Sequence, residues 1–571
     1  MKRLLAFSAI SLALVGCLNP QSARLQSADE NEVKEIEPRT IGQITTVAST
    51  EEGIPVVGVG LVTGLNGTGG GAPPASSFRD ALEQELKKQG VQNIKGMLES
   101  PDNAMVIVTA RVPAGTRRND TIDIEVGLPE MSRCTSLKGG YLAQCKLFTF
   151  ETTHNLSPKS VGPNQTLRGD AIMKAEGKIQ MKFADQTSVG ANSTDSEDSR
   201  SGQILGGGRC LIDPPITLLL TQNAQETRYA IRVAEQINKT FPGMRYGRDG
   251  LASPKNNKLV IVGVPMQYRH DPMHFQRVLR AIPLDNMNPQ TLAAYRRQLA
   301  DRLLDPVKSQ GAAIRLEALG EESVPILRQA LACQYPISRF SAAQALTYLR
   351  KRDGVEELVN LARQQPALRA LCLTALASLD ESICHTRLAD LLAEPDAELR
   401  YGAFCSLRAL DDRAPEVAGE RCGDAFWLHQ VAPDSMPMVH YMTHRRAEIV
   451  LFGRPPVLMP DLRVLCGDFS FIVGNDGTCT VKRYLNKGRE PLVKQCPAQL
   501  ADVLKTLGEM GGSYSDAVDF LSHADSSHKL TCEVRHDNIP QLIDPLKLAK
   551  MAQTDPTLRT AMPAPTLARG Q

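Results

Sequence analysis

The chain has 571 residues, 42% hydrophobic, with one Trp and few other aromatics. That length corresponds to roughly three or four domains of ordinary size. Sixty-five basic and sixty-three acidic residues leave a formal charge of +2, which supplies no concentrated basic face for nucleic acid, and no apolar run reaches the ~18 residues of a transmembrane helix.

Lys2 and Arg3 precede the apolar run LLAFSAISLALVGC, and this pattern predicts a secretory signal peptide over residues 1–16. Leu14-Val15-Gly16-Cys17 is similar to a bacterial lipobox. The resemblance implies cleavage before Cys17, acylation of that residue and a membrane attachment, with Leu18 in place of a retention aspartate and the outer membrane as destination. Residues 17–38 are polar and acidic and form a lipid-anchored tether, about 25 Å in typical span. Export also permits disulfides. Twelve cysteines remain beside Cys17, and none falls in a Cys-x-x-Cys motif that would bind zinc or cycle like a thioredoxin. Cys134 with Cys145, and Cys466 with Cys479, are the locally plausible pairs; several of the others sit in helices as small core residues.

The glycine-dense stretch VVGVGLVTGLNGTGGG begins at Val56. Gly58, Gly60 and Gly64 approach the spacing of a dinucleotide fingerprint, but that motif needs a helix opening at its last glycine to hold the pyrophosphate. No helical pattern starts before Phe78, and no lysine of a P-loop occurs between Lys34 and Lys87. A turn-forming structural loop is favoured over a nucleotide site, and no cofactor is expected.

Strands are expected at 106–110 and 121–126, helices at 77–89 and 227–241, and a long polar loop at 187–208. Then the pattern changes. Leu316, Leu346, Leu376 and Leu407 are spaced by 30, 30 and 31 residues, and Leu319, Leu349, Leu379 and Leu410 repeat the spacing three positions later. Arg339, Arg369 and Arg400 precede the last three pairs by seven, while Leu327, Leu358 and Leu388 mark second helices in register. A two-helix unit repeating every thirty residues must stack on its neighbours to bury its apolar face. The array resembles HEAT repeats. It is assigned to 288–428, as a separable module that acts as a spacer or offers a concave face to an unidentified protein. Strands return at 447–452, 469–473 and 477–482, followed by helices at 497–507 and 515–522 and a strand at 529–534; the tail, 541–571, is Pro/Ala-rich and partly disordered.

Two histidine pairs have the spacing of a metal site. His270 and His274 flank Pro272, which argues against one helical face, and His440 and His444 lack the following glutamate of a zinc protease. Structural histidines are favoured for both pairs, and no nucleophile motif appears.

The ordered blocks RTIGQI (39–44), VVGVGLVTGLNGTG, FRDALEQELKKQGV, NAMVIVTARVPAGTRRNDTIDIEV, SLKGG (136–140), AIMKAEGKIQM and RYAIRVAEQINKTF together resemble the flagellar basal-body P-ring protein family. The family's closing helix pair and strand are absent after residue 285 but reappear in residues 499–534. The resemblance therefore implies an α+β fold in which a P-ring-like part (39–287) is interrupted by the helical array and completed by a second part (429–540). It covers roughly 350 residues, and it implies a non-enzymatic periplasmic subunit. Copies would close into a ring around the flagellar rod as a bushing, with the rod and the outer-membrane L-ring proteins as partners. Ring-assembly candidates are Gly58, Gly60, Gly64, Gly67, Gly69, Lys138, Gly139 and Gly140, where glycines would allow close packing at subunit contacts or in a tight inner region. The lipobox departs from the family's usual soluble export. A lipid-anchored scaffold recruiting proteins through the array, and a periplasmic enzyme with an unrecognised site, are the alternatives.

Overall fold

The structure is a computed structural model and describes residues 35–48, 53–70, 77–113, 115–152, 166–181, 200–242, 250–423, 425–443, 446–484, 490–543, 547 and 550. Cys17, the tether up to residue 34 and the tail beyond 550 lie outside the described residues.

From Pro38 onward the chain forms one compact unit. A single helical turn, α1 (Ile41–Ile44), leads into β1 (Thr45–Val47). The chain then builds β2 (Ile54–Thr63), α2 (Ser77–Lys88), α3 (Ile94–Glu99), β3 (Ala104–Val112), β4 (Thr121–Gly127), β5 (Tyr141–Thr152), β6 (Thr166–Lys178), β7 (Gln180–Met181) and β8 (Ser201–Cys210). These strands pair in the order β4-β3-β2-β5-β6-β8-β7, and a further antiparallel pairing of β4 with β8 closes the sheet into a barrel. Closure leaves no free edge on the six joined strands. Val56, Val62, Val106, Val108, Ile124, Val126, Leu142, Leu147 and Met173 belong to its buried core. Leu82, Leu86 and Leu98 of α2 and α3 cover Leu61 and Met105 outside it.

One expectation fails here. The polar loop assigned to 187–208 ends instead in the closing strand β8, while residues 187–199 lie outside the described residues. The run Gly206-Gly207-Gly208 has a packing reason, because a Cβ on Gly208 would lie 2.4 Å from Met173 Sδ and 2.8 Å from Ile124 Cγ2. The backbone passes where a side chain would not fit.

A second layer comes next: β9 (Ile216–Leu220), α4 (Thr227–Thr240), β10 (Ala252–Pro254), β11 (Leu259–Val262) and α5 (Pro272–Ala281). Its antiparallel sheet has the order β1-β9-β11-β10. Leu218, Val260 and Val262 from the strands share a core with Val233 and Ile237 of α4 and with Phe275 and Val278 of α5.

The array supplies eight helices, α6 (Pro289–Leu304), α7 (Ser309–Ala318), α8 (Val324–Ala330), α9 (Pro336–Tyr348), α10 (Val355–Gln364), α11 (Pro366–Ser378), α12 (Ser382–Leu391) and α13 (Ala397–Leu410). Proline at the first turn of α6, α9 and α11 suits a position whose N–H has no helical partner. Leu316, Leu346, Leu376 and Leu407 are all fully buried, as are Leu327, Leu358 and Leu388. The three periodic arginines are buried too, and each guanidinium binds at least one main-chain carbonyl in the last turn of the preceding helix or in the connection after it. Arg339 donates to Cys333 and Gln334 and pairs with Glu357 at 2.6 Å. Arg369 donates to Ala362 and to Asp396, and Arg400 to Leu392, Ser435 and Met436. The constant offset is thus a clasp between successive helices that satisfies carbonyls otherwise orphaned at or just beyond helix C-termini.

The helical run ends at Leu410, with Ala414 and Val417 still in the array's core cluster before the first strand of the C-terminal part. That part contains β12 (Gly419–Cys422), β13 (Phe426–Val431), β14 (Met438–Tyr441), β15 (Glu448–Phe452), β16 (Arg463–Cys466), β17 (Phe469–Val473), β18 (Thr478–Arg483), β19 (Leu492–Pro497), α14 (Leu500–Glu509), α15 (Tyr514–Ser526) and β20 (Glu533–His536). Its sheets have the orders β12-β13-β15-β14-β20 and β16-β17-β18-β19. Ser513 and Asp516 form a reciprocal capping box that starts α15.

The C-terminal part also touches the barrel. Leu205 of β8 packs on its core, Gln203 Nε2 donates to the Thr443 carbonyl at 3.4 Å, and Lys178 Nζ donates to that of Gly511 at 3.4 Å. The array's core, by contrast, is continuous with the layers on both sides, running from Ile41 to Phe452. The expectation of a separable array therefore meets a core open at both ends.

Candidate ring-building end of the barrel

The eight ring-assembly candidates lie on β2 and on two turns that the fold brings together. Gly58 and Gly60 are inside β2, which faces β5 through a register shift between Val57 and Val62. A Cβ on Gly58 would lie 2.4 Å from the Lys146 carbonyl oxygen, and one on Gly60 would lie 2.6 Å from Leu142 Cδ1. The close approach is made within the chain, to β5. Of the two readings given for these glycines, subunit contact or tight inner packing, the contacts seen here are of the inner kind. Gly69 and Gly140 are likewise packed internally, against the Pro101 and Asn103 carbonyls and against Val62.

Gly64, Gly67 and Gly139 differ. All three have positive φ, +80°, +89° and +78°, and a Cβ on any of them would meet nothing within 4 Å. Leu65 to Thr68 is a tight turn, closed by Thr68 N–H to the Leu65 carbonyl at 3.0 Å, with both Asn66 and Gly67 at positive φ. Leu137 to Gly140 is a second turn, closed at 3.1 Å, with Lys138 and Gly139 at its exposed tip. Thr68 joins the two: its hydroxyl lies within bonding distance of the Leu65 and Ser136 carbonyls, and its own carbonyl accepts from Thr135 N–H at 2.9 Å. Asp102 completes the set by accepting from Gly67 N–H at 2.8 Å. Sequence reasoning missed Thr68, Thr135 and Asp102 in this role, and no local signal links Asp102 to a turn thirty-five positions earlier.

Around these turns the surface is mixed. Tyr141, next to Gly140, is exposed, as is Met131 in the preceding loop. Lys138 faces the field of Asp519 on α15, whose carboxyl is pushed up by burial and by Asp516 and drawn back by His523 and Lys138. Lys178 is pushed down by burial, partly offset by Asp516. A C-terminal helix therefore borders the same end of the barrel.

The metal-spaced histidines are not brought together as pairs on a helix. His440 is a buried residue of strand β14, stacked on Tyr401 at 3.8 Å, and burial lowers its pKa to about 4. A strand alternates faces, so four-residue spacing there is not the helical arrangement; His444 lies outside the described residues. His274 opens α5 and bonds Glu317 of α7 through Nε2 at 2.8 Å. Tyr268 donates to the same carboxylate at 2.6 Å, and Tyr348 to Asp271 at 3.0 Å. These contacts lock the array to the preceding layer, beside a groove of about 1310 Å³ lined by Lys239, Arg296, Glu322 and Arg350. Among the described residues no group of three His, Cys, Asp or Glu side chains is arranged to hold a metal, and no helix is long and apolar enough to cross a membrane.

The disulfide candidates separate as well. Every described cysteine is a free thiol in this structure, Cys479 and Cys496 included; Cys134 and Cys145 both lie in the barrel core, Cys134 donating to the Ser136 carbonyl. Cys466 and Cys479 are on β16 and β18, with β17 between them. Two strand spacings, about 9.6 Å, exceed the ~7 Å limit between the Cα atoms of a disulfide. That pairing is corrected.

The closed barrel thus brings two tight turns together at one end, with Asn66, Gly67, Lys138 and Gly139 exposed there. Residues 40–296 of the chain match the family model described as Flagellar P-ring protein. Among curated proteins, the Flagellar P-ring protein of Caulobacter vibrioides is 28% identical over 195 residues, covering 33% of this chain and 47% of its own. That of Thermotoga maritima is 27% identical over 225 residues, covering 39% and 61%. That of Campylobacter lari is 32% identical over 108 residues, covering 19% and 30%. The chain spans about half the length of the curated relatives it matches first.

Proposed function

We propose that the protein is a non-enzymatic structural subunit of the flagellar basal-body P ring, assembling with its own copies in the periplasm around the rod as a bushing. The observation that carries this reading is the family match over residues 40–296. Closed rings need head-to-tail contacts whose rotation returns to the start. The exposed Asn66-Gly67 and Lys138-Gly139 turns, with Tyr141, supply one such contact, and α15 beside them lends charge. The helical run is a HEAT-type arm, clasped by its arginines, that carries a protein partner outward from the ring. Cys17 is acylated and ties each subunit to the outer membrane before assembly, and the L-ring proteins adjoin the ring.

Electron microscopy of purified basal bodies carrying a label on this chain tests the reading. Label in a ring at periplasmic height around the rod is the expected result; basal bodies with an unlabelled ring overturn it. Metabolic labelling with a fatty-acid analogue should mark wild type and miss Cys17→Ala, and equal labelling of both removes the anchor.

A further inference from the structure

We propose that Cys479 and Cys496 form a cross-strand disulfide that fastens the edge strand β19 to its sheet. The two residues stand directly opposite each other on antiparallel strands β18 and β19, in the register Cys479↔Cys496. Ala498 N–H donates to the Gly477 carbonyl two positions away, so the ladder alternation makes Cys479 and Cys496 a hydrogen-bonded pair as well. Such pairs have Cα atoms about 5.5 Å apart, inside the ~4.4–6.8 Å range of disulfides. Opposed residues share a face. Cys479 is fully buried there and Cys496 half-buried, its thiol donating to the Cys479 carbonyl at 3.6 Å.

The pair also has a working order of attack. The neighbouring Cys479 thiol lowers the Cys496 pKa to about 7, while that of Cys479 rises. Cys496 is thus the outer thiol and the one that ionises first, the combination that makes a cysteine reactive. In the oxidation its thiolate attacks a disulfide reagent, joining one sulfur and releasing the other as a thiolate. Cys479 then loses its proton and attacks the Cys496 sulfur, expelling the second thiolate. Two electrons and two protons leave the cysteine pair, and the reagent is reduced to two thiols. The oxidant is a protein or small-molecule disulfide of an oxidising compartment.

Among the described residues β19 bonds to one neighbouring strand, and four of its six residues are exposed before Cys496 is reached. A cross-link from its inner end pins the register and keeps the edge from pairing elsewhere. The bond in the cell rests on the export proposed above; the geometry does not, and the two are tested separately.

The purified full chain, equilibrated with an oxidised–reduced glutathione buffer, is alkylated without reductant, digested and analysed by mass spectrometry. The expected product is a linked peptide pair containing Cys479 and Cys496, lost after dithiothreitol, with a higher unfolding temperature in the oxidised sample. Cys496→Ser, altering the half-buried member, should abolish the linked peptide and the oxidation-dependent shift. Complete alkylation of both thiols after equilibration, a linkage of either to another cysteine, or a disulfide-linked dimer overturns the pairing. Formation in glutathione with free thiols in protein isolated from the periplasm upholds the pairing and overturns its use in the cell.

Discussion

The barrel and the helical array solve the same problem in opposite ways. The barrel closes on itself: β4 pairs with β8, and its buried residues form a cluster of their own. The array stays open, and Leu358, Leu376, Leu388 and Leu407 share one core with the α/β layer before it and the sheet after it. A closed sheet needs close backbone passage at a few places and fills them with glycine. An open stack instead needs its unit repeated, with buried arginines clasping one helix to the next. Closure predicts independence, and continuity predicts coupling.

Leu376→Asp should break that comparison most strongly. Leu376 is fully buried within the continuous core, and an unpaired carboxylate there costs several kcal/mol. The milder Leu376→Ala should cost about 3 kcal/mol. Hydrogen exchange read by mass spectrometry should show loss of protection from α6 to β15 and in the layer of α4 and α5. Strands β2 to β6 should remain protected. Uniform loss across both regions would make the barrel dependent on the array, and loss confined to residues 289–410 would restore the array as a separable module.

Next comes the barrel's own weak point. Gly58→Val places a Cβ 2.4 Å from a backbone oxygen, which β5 can relieve only by shifting; about 3 kcal/mol is expected from such overpacking. Gly64→Val meets no atom and carries mainly the positive-φ penalty, about 1–2 kcal/mol. Urea titration of both variants should rank Gly58→Val as the more destabilised. Ring assembly should follow the other order per unit of stability lost, because Gly64 leads into the exposed turn. If the two effects scale together, that turn has no role outside the fold.

The same contrast explains what was legible in the sequence. A period of thirty residues survives in Leu316, Leu346, Leu376 and Leu407 because every unit faces the same neighbours, so burial repeats with the spacing. β8 offered no such signal. Its SGQILGGGRC looks like a loop, and only Met173 and Ile124, brought close by the closed barrel, explain why glycine stands at 208. His440 has helical spacing to His444 yet lies in a strand, since β14 is fixed between β15 and β20, the latter almost a hundred residues later. Spacing along the chain favours Cys466 as the partner of Cys479, whereas the ladder sets Cys496 opposite. The α+β class and the family blocks were readable locally. Barrel closure and the convergence of the two turns depend on pairings between distant segments.

A pH dependence should sharpen the picture at the array's first junction. Burial would lower the His274 pKa, but the charge and hydrogen bond of Glu317 prevail and raise it above the usual 6.5. A histidine bound more tightly to its proton in the folded state stabilises fully below about pH 6.5, and that contribution fades as pH rises through the folded-state value. The unfolding temperature should therefore fall on going from pH 6 to pH 9. His274→Gln should flatten this slope, and a wild-type slope persisting in the variant would assign it to another group.

The smallest effect belongs to the array's surface. Arg363 pairs with Glu394 at 2.7 Å across a repeat, but both side chains are partly exposed, at 38% and 28%. Arg363→Met should cost less than about 1 kcal/mol, and the difference should shrink in high salt. Arg369 is 3% exposed and holds Asp396, Glu398 and the Ala362 carbonyl together. Arg369→Met strands those acceptors and should cost about 3 kcal/mol, with little salt dependence. Parallel urea melts at low and high salt separate the two. Equal costs would mean that exposed ion pairs hold successive repeats together; unequal costs, in the order given, leave the buried clasp as the joint that lets an open stack behave as part of one core.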